Sequence, residues 1–254
     1  MISLSPRRRP TIPELKIELD RLYRKINRLE FILGDPVQFP HRYSAQEDIE
    51  IAVFLSATIA WGRRDMIIRS GEAMFSLMEP GPFDFVMSGN YMKLKDKSIH
   101  RTFFESDLIY FCKGFRNCYK RYGKLESLFA SAENVWDSMA LFRETMAQGN
   151  KGLFSRHIAD PASSSACKRL NLALRWLVRK EGPVDLGLWK RLSPASLFIP
   201  LDLHVGRAAR HLGLLDPARK ANDKKAVFIL TEKLRELCPE DPVKFDFSLF
   251  GMRV

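Results

Sequence analysis

The segment DIEIAVFLSATIA, residues 48–60, restricts the fold more than any other part of the sequence. It has the length of a helix, and apolar or small residues follow its acidic start almost without interruption. In a water-soluble protein, a helix that is apolar all round has to be covered on every side, because exposed apolar surface is unfavourable. The sequence therefore predicts a central helix around which the remaining elements pack.

The elements around this helix are also predicted to be helices. Residues 13–32 carry apolar side chains at helical spacing and are followed by a Gly-Asp-Pro sequence, which ends helices. The same spacing recurs in segments 63–78, 105–121, 124–130, 135–147, 165–180, 203–212, 224–237 and 244–251. The sequence contains no clear strand pattern, hairpin signal or internal repeat. With 46% hydrophobic residues to fill a core, we expect an all-α fold.

The net charge indicates a polyanionic partner. The chain contains 41 Lys and Arg residues against 30 Asp and Glu residues, which gives a formal charge of +11. Such an excess favours nucleic acid as the partner, and solubility alone is the alternative explanation.

Neither a membrane segment nor an export signal is predicted. No apolar run reaches the roughly 20 residues of a membrane helix, and no hydrophobic segment follows the arginines near the start. We therefore expect a cytoplasmic, nucleoid-associated protein without membrane contact. The four cysteines lack the spacing of metal sites, so we interpret them as reduced, partly buried thiols and expect no bound metal.

The segment SSSACKRLNLALRWLVRK predicts an amphipathic helix with Ser164 or Ser165 as its cap. Lys168, Arg175 and Arg179 fall together on the side opposite the apolar residues. These three cations form either a solvated helix face or, given the net charge, a surface that binds DNA.

The stretch FIPLDLHVGRAARHLGLL contains one carboxylate, Asp202, shortly ahead of a histidine and two arginines. Aspartate is favoured at helix N-termini, and apolar residues follow at helical spacing as far as Gly213. Asp202 therefore either only begins a helix, or begins it and also carries chemistry.

This stretch resembles the Val-Asp-Thr-His-Val-x-Arg segment of the helix-hairpin-helix DNA glycosylases, the endonuclease III superfamily. The matching residues are Asp202, His204, Val205 and Arg207. Three more segments resemble that superfamily: DIEIAVFLSATIA its buried helix, KRLN the start of the helix after its hairpin, and PVKFDFSLFG its last helix. The whole chain also resembles a family of uncharacterised bacterial proteins, domain of unknown function 2400, distantly related to those glycosylases.

The resemblance implies two helical lobes around a cleft. Residues 48–201 would form one contiguous lobe with a degenerate hairpin, and residues 1–47 and 202–254 would form the other. Damaged duplex DNA would lie across the cleft, with Asp202 at its mouth. We expect the protein to act as a monomer.

The resemblance also implies cleavage of an N-glycosidic bond. Positive charge develops on the sugar in this reaction, so a fixed carboxylate beside C1′, here Asp202, stabilises the transition state. If Lys168 reaches the same pocket, it attacks C1′ and forms a Schiff base that leads to strand cleavage. Otherwise water attacks, and the enzyme is a monofunctional glycosylase.

The target base would have to leave the duplex and enter a pocket. Trp61 is the first candidate for a pocket residue, and a core position is the alternative. For His204 the alternative is a structural hydrogen bond. The other residues expected to line the pocket or bind DNA are Thr58, Arg63, Arg64, Ser164, Ser165, Arg169, Arg175, Arg179 and Arg207.

The chain departs from the superfamily pattern in three places. The Pro-Gly-x-Gly of the hairpin, whose glycines let backbone amides approach a phosphate, is replaced by the glycine-free DPASSSACK. The connection from Lys168 to Asp202 is longer than in most of the superfamily. No four-cysteine cluster follows the last helix, so neither an iron–sulfur cluster nor another cofactor is expected.

Two other functions are compatible with these departures. The glycine-free hairpin favours a non-catalytic DNA-binding protein on a glycosylase-like scaffold. The long connection favours an enzyme that acts on another nucleic acid or on a nucleotide.

Overall fold

The computed structural model describes residues 11–252, and most of their regular structure is helical, which confirms the all-α prediction. The helices are α1 Ile12–Ile26, α2 Leu29–Leu33, α3 Gln46–Ile59, α4 Arg64–Ser76, α5 Pro82–Ser88, α6 Glu105–Tyr122, α7 Leu125–Phe129, α8 Val135–Gln148, α9 Lys168–Val178, α10 Leu203–His211, α11 Lys224–Leu237 and α12 Phe245–Gly251. Two short strands, β1 Ser98–His100 and β2 Phe103–Phe104, pair antiparallel. No helix in this part of the chain is long and apolar enough to cross a membrane.

Helix α3 is the central helix that the sequence predicts. Every residue from Ile49 to Ile59 is buried. The Phe54 ring lies 4.7–6.4 Å, centroid to centroid, from four other aromatic rings, those of Phe115, Phe129, Phe142 and Trp189. Helix α9 packs along α3, so the core positions the helix that begins with Lys168.

One acidic residue of α3, Glu50, is fully buried and well supplied with hydrogen bonds. Its carboxylate accepts from the Tyr119 hydroxyl at 2.9 Å and from Trp189 Nε1 at 2.8 Å. The backbone amides of Leu125 and Glu126 donate to it at 3.1 and 3.2 Å. These four donors offset the cost of removing a carboxylate from water, and they tie α3 to α6 and α7.

Two cations of α9 do not lie on a surface face. Arg175 and Arg179 are only 4% and 0% exposed. Arg175 pairs with Asp185 and Asp246, while Arg179 pairs with Asp185 and with Asp241, whose two oxygens both lie 2.9 Å from Arg179 Nε. Both guanidinium groups are buried and paired, so the interpretations of this face as solvated and as DNA-binding are wrong for Arg175 and Arg179, whereas the Lys168 side chain is 29% exposed. The two arginines are instead covered by acidic residues from other parts of the chain.

The helix predicted over residues 13–32 is broken into α1 and α2 at Asn27. The Asn27 side-chain amide donates to the Tyr23 hydroxyl at 2.7 Å and to the Glu181 carbonyl at 3.0 Å. These contacts with a distant loop compete with the local helical pattern, and periodicity cannot reveal them.

Helix α9 begins at Lys168, three residues later than predicted. Cys167 precedes it in the left-handed conformation, with a φ of 47°, and no side chain caps the helix. The prediction of a cap at Ser164 or Ser165 is therefore wrong. The β1–β2 hairpin and α5 were not predicted either, because elements this short carry too little pattern.

The two ends of the described chain meet. Helix α1 packs along α12, and α10 also packs against α12. The Ser248 hydroxyl donates to the Leu19 carbonyl at 2.6 Å. This arrangement is compatible with a lobe built from both chain ends, but the division into 48–201 and 1–47 with 202–254 stays a prediction. Residues 1–10 and 253–254 of the second predicted lobe lie outside the described residues.

Replacing Arg179 by methionine keeps much of the side-chain volume but leaves the Asp241 carboxylate buried without its ion partner. We expect the free energy of unfolding to fall by about 3–5 kcal/mol, because breaking a buried pair leaves an uncompensated charge. Urea denaturation measures the loss. Arg21→Met is the control, since its pair with Glu18 lies at the surface, where solvent screening leaves an ion pair little net effect on stability. Equal losses in the two variants would contradict this account.

Candidate active site

Asp202 is the N-cap of α10, as the sequence predicts. Its Oδ1 atom accepts hydrogen bonds from the backbone amides of His204 and Val205, both at 2.9 Å. Its own carbonyl accepts from Asn222 Nδ2 at 3.0 Å. These contacts hold the carboxylate in one orientation and place it in the favourable field of a helix N-terminus.

A glycine in α10 makes this arrangement possible. A Cβ atom at Gly206 would collide with the side chains of Asn222 and Arg210. Asn222 needs that space because it bonds both to the Asp202 carbonyl, at 3.0 Å, and to Arg210 Nη2, at 2.8 Å. Gly206 therefore helps to fix the backbone that carries Asp202.

Lys168 lies beside Asp202 although the two are far apart in the sequence. The Lys168 Nζ atom is 3.6 Å from Asp202 Oδ2 and 3.4 Å from the Ala60 carbonyl oxygen. The carboxylate thus uses one oxygen to cap α10 and presents the other to the amine. Both side chains keep about a quarter to a third of their surface exposed, so a ligand can reach them.

Lys168 and Asp202 line a cleft of about 530 Å³. Its walls combine apolar and aromatic residues with charged ones. The apolar and aromatic members include Phe31, Trp61, Ile67, Leu172, Trp176, Pro200, Leu203 and Phe250. A concave site of this size with a few convergent polar groups is typical of a small-molecule or base pocket.

Trp61, in the loop between α3 and α4, forms a wall of this cleft and is partly exposed. Its ring lies edge-on to His100, with 5.4 Å between centroids, and 4.6 Å from the Arg101 guanidinium carbon. The indole Nε1 atom is buried and has no hydrogen-bond partner among the described residues. Gly62 follows with a φ of 100°, which a residue with a side chain rarely adopts. The structure thus places Trp61 at the cleft and outside the main core.

Two further carboxylates of the cleft are absent from the sequence-based candidates. Asp246, in α12, is buried, and this burial raises its pKa to about 6 although the Arg175 guanidinium acts in the opposite direction. Burial also raises the pKa of Asp35, which accepts the Val37 amide at 3.1 Å. The FDF sequence of α12, an aspartate between two aromatic residues, is the signal that could have identified Asp246.

Arg64 lies at the edge of the cleft. Its guanidinium carbon is 5.7 and 5.5 Å from the ring centroids of Phe31 and Phe250, and its Nη2 atom is 3.6 Å from Asp35 Oδ2. Arg63, by contrast, is exposed, pairs with an aspartate of α4, and does not line the cleft. Of these two predicted residues, only Arg64 therefore belongs to the site.

The other candidates fall into different environments. Thr58 is buried and its hydroxyl donates to the Phe54 carbonyl at 2.7 Å, so its assignment to the pocket or the DNA surface is wrong. His204 is exposed and lines the cleft, and Arg207 is exposed on the same helix. Arg175 lines the cleft from its buried position, whereas Arg179 does not.

A second cavity of about 800 Å³ adjoins the cleft, and the two share Ala60, Trp61 and Lys168 as lining residues. Besides Trp61 and Lys168, three further predicted residues line this second cavity: Ser164, Ser165 and Arg169. Lys168 therefore lies at the boundary between two recesses.

Within residues 11–252, no group of three or more His, Cys, Asp or Glu side chains could hold a metal ion. The four cysteines are free and buried, and burial raises the pKa of the Cys167 thiol to about 11. The expectation that the protein needs no cofactor stays a prediction.

A family model described as "Protein of unknown function (DUF2400)" matches residues 35–254. The matched range contains the charged residues of the cleft, among them Asp35, Lys168, Asp202 and Asp246. Neither a curated protein nor a solved structure gives a significant match to the chain.

The raised pKa of Asp246 predicts a pH-dependent stability. The folded protein binds this proton more tightly than the unfolded chain, whose carboxyl has an ordinary pKa of 3.8, so the free energy of unfolding falls as the pH rises from about 4 to about 6. Asp246→Asn lacks this titration. We expect its stability relative to wild type to improve by about 2–3 kcal/mol between pH 4 and pH 7. Denaturant unfolding across that range measures the difference, with the exposed Asp84→Asn as control. A constant difference would show that Asp246 ionises as in the unfolded chain.

Proposed function

This chain belongs to the DUF2400 family, and from its cleft we propose that it is a DNA-repair glycosylase with lyase activity, which removes a damaged base from duplex DNA. The observation that carries the proposal is the 3.6 Å separation of Lys168 Nζ and Asp202 Oδ2 inside one cleft. An amine beside a fixed carboxylate is the pair that this reaction requires. The resemblance of both segments to the helix-hairpin-helix glycosylases supports the same reaction.

Asp202 supplies the charge that the bond cleavage needs. When the glycosidic bond lengthens, positive charge builds up on C1′ and the ring oxygen of the sugar. A carboxylate that is already oriented by two backbone amides stabilises this charge without having to reorganise. Its free oxygen, Oδ2, points to the amine and is the atom available for the sugar.

Lys168 supplies the nucleophile. In its neutral form, the amine gives its electron pair to C1′ to form a new N–C1′ bond, while the bond from C1′ to the base breaks and the base leaves with the electrons of that broken bond and takes up a proton. Asp202 Oδ2 can accept an amine proton after a small side-chain movement from 3.6 Å. The sugar ring then opens, with its oxygen taking the electrons of the C1′–O4′ bond and a proton. The resulting Schiff base loses a C2′ proton and expels the 3′ phosphate, which cleaves the strand.

The cleft can receive the target base. Its volume of about 530 Å³ falls within the roughly 300–1,000 Å³ of ordinary ligand pockets. Trp61 offers a partly exposed aromatic ring for stacking with the base. Asp246 adds a buried carboxyl group whose pKa is raised by burial to about 6.

The net charge of +11 supports duplex DNA as the substrate, since phosphate neutralisation supplies much of the affinity for DNA. The proposal includes a monomeric protein at the nucleoid of the cytoplasm. A non-catalytic DNA-binding scaffold and an enzyme of RNA or nucleotides are the competing functions that the experiments below separate.

Borohydride trapping tests the nucleophile. Wild-type protein incubated with duplex oligonucleotides that carry assorted base lesions or an abasic site should form a covalent adduct, because borohydride reduces the Schiff base to a stable amine. Lys168→Gln should form none, while Lys225→Gln, an exposed lysine outside both cavities, should trap like wild type. Base release without trapping would mean that water attacks. Salt-dependent DNA binding with neither base release nor trapping would identify a non-catalytic scaffold. Base release from RNA or nucleotides, but not from DNA, would identify another substrate.

Asp202→Asn tests the carboxylate. Asparagine keeps the size and most of the capping ability, so stability should change by roughly 1 kcal/mol or less. Single-turnover base release should slow on the order of a hundredfold or more, about 3 kcal/mol of lost transition-state stabilisation. DNA affinity should hold or rise slightly. Asp216→Asn, an exposed aspartate that accepts the Ala218 amide in a turn, is the matched control. Equal release rates for Asp202→Asn and wild type would leave Asp202 as a helix cap alone.

A further inference from the structure

The glycine-free loop before α9 uses its backbone amides internally. The Ala162 amide donates to Asp160 Oδ1 at 2.9 Å, and the Ser163 amide donates to the Asp160 carbonyl at 3.2 Å. The Ser165 amide donates to Ser163 Oγ and the Cys167 amide to Ser165 Oγ, each at 3.2 Å. Because these four donors already have partners, the loop cannot offer them to a phosphate without giving up its own structure. A phosphate that docks here therefore does not find these four amides free.

Arg169, the second residue of α9, is a cation without an acidic partner. It lines the second cavity, and its Nη1 atom donates to the Thr58 carbonyl at 3.1 Å. No carboxylate among the described residues pairs with it, whereas Arg175, on the same helix, has two. Burial accordingly lowers the pKa of Arg169. A half-buried guanidinium with unused donors and no counter-ion is costly, and an anion would relieve that cost.

The groups around Arg169 leave the second cavity positive. Arg156 and Lys168 also line it, and Arg156 is largely exposed. The one carboxylate of its lining, Asp223, accepts the Ala226 amide and pairs with the guanidinium of Arg219. The nearby His157 is partnered by a carboxylate of α6, 3.3 Å from its Nε2 atom. Lys168 pairs with Asp202 at 3.6 Å and Arg156 Nη2 lies 3.9 Å from Asp107 Oδ2, so Arg169 is the cation of this lining that an entering anion meets without a carboxylate partner among the described residues.

We infer that the second cavity is a phosphodiester subsite in which the Arg169 side chain takes the place of hairpin amides. The inference rests on the proposed function in one respect, that the chain binds DNA. The two cavities share Trp61 and Lys168, so a sugar at Lys168 with its base in the cleft has its own phosphate beside the second cavity. Arg169 then holds the backbone next to the extruded nucleotide. The guanidinium fork matches the two free oxygens of that phosphate.

Single neutral phosphates test this assignment. The probe is a duplex that carries a tetrahydrofuran abasic analogue, with one methylphosphonate placed in turn at each phosphate near the analogue. Wild type should lose roughly tenfold or more in affinity at one adjacent position, the size of a charge-assisted contact. Arg169→Gln should bind the unmodified duplex with an affinity reduced by a similar factor, and that methylphosphonate should not reduce its affinity further. The slope of the logarithm of its binding constant against the logarithm of salt concentration should fall in magnitude by about one.

Two further variants control for charge and folding. Lys25→Gln removes one exposed charge of α1 outside both cavities and should keep the wild-type pattern. Arg169→Lys keeps the charge and should recover part of the affinity, which a merely structural role would not explain. If Arg169→Gln stays as sensitive as wild type at every position, or if wild type does not bind the analogue duplex, the inference is overturned. Arg169-dependent binding without base release would support the subsite and refute the glycosylase, whereas base release that is indifferent to Arg169 would do the reverse.

Discussion

The buried network of guanidinium and carboxylate groups around α9 is the interaction on which the candidate site depends. Arg175 and Arg179 project from one side of α9 and pair with Asp185, Asp241 and Asp246, so the helix is fastened to the loop that follows it and to the region of α12. Helix α12 in turn packs against α10, which carries Asp202 at its start. The position of Lys168 relative to Asp202 therefore depends on a buried charge network, of which Arg175 and Asp246 also line the cleft. Burying such a network costs desolvation, and its hydrogen-bonded geometry offsets that cost.

This network also marks the boundary between what the sequence predicts and what it does not. The division of α9 into an apolar and a basic side follows from local spacing, and the structure has both sides where the pattern puts them. The environment of the basic side depends on acids that lie far along the chain, as Asp241 and Asp246 do, and nothing in the spacing of α9 announces them. A basic helix face is hence ambiguous between solvent, DNA and buried carboxylates until its neighbours are known.

Predictions that depend only on residues close together in the sequence were the most reliable. Asp202 as a cap and α3 as a buried helix each depend on residues within one element, and both are observed. Predictions that depend on distant contacts fared differently: the break at Asn27 follows from a bond to the Glu181 carbonyl, and Arg179 is buried by its acids. The juxtaposition of Lys168 with Asp202 was expected only through the family resemblance, because no periodicity brings two such distant residues together.

The distribution of charge between the two cavities gives a physical reason for the different roles proposed for them. Among the described residues, the cleft is lined by three carboxylates and three cations, which are Asp35, Asp202, Asp246, Arg64, Lys168 and Arg175. A cleft whose charges nearly cancel suits an uncharged base, because such a base gains from polar contacts and does not require an excess of either charge. The lining of the second cavity has three cations against one carboxylate, and one of these cations, Arg169, has no carboxylate partner among the described residues, which favours an anion. Lys168 lines both cavities. In the proposed complex the sugar would lie at this border, joining an uncharged base to a charged phosphate, and the amine would face its C1′ atom.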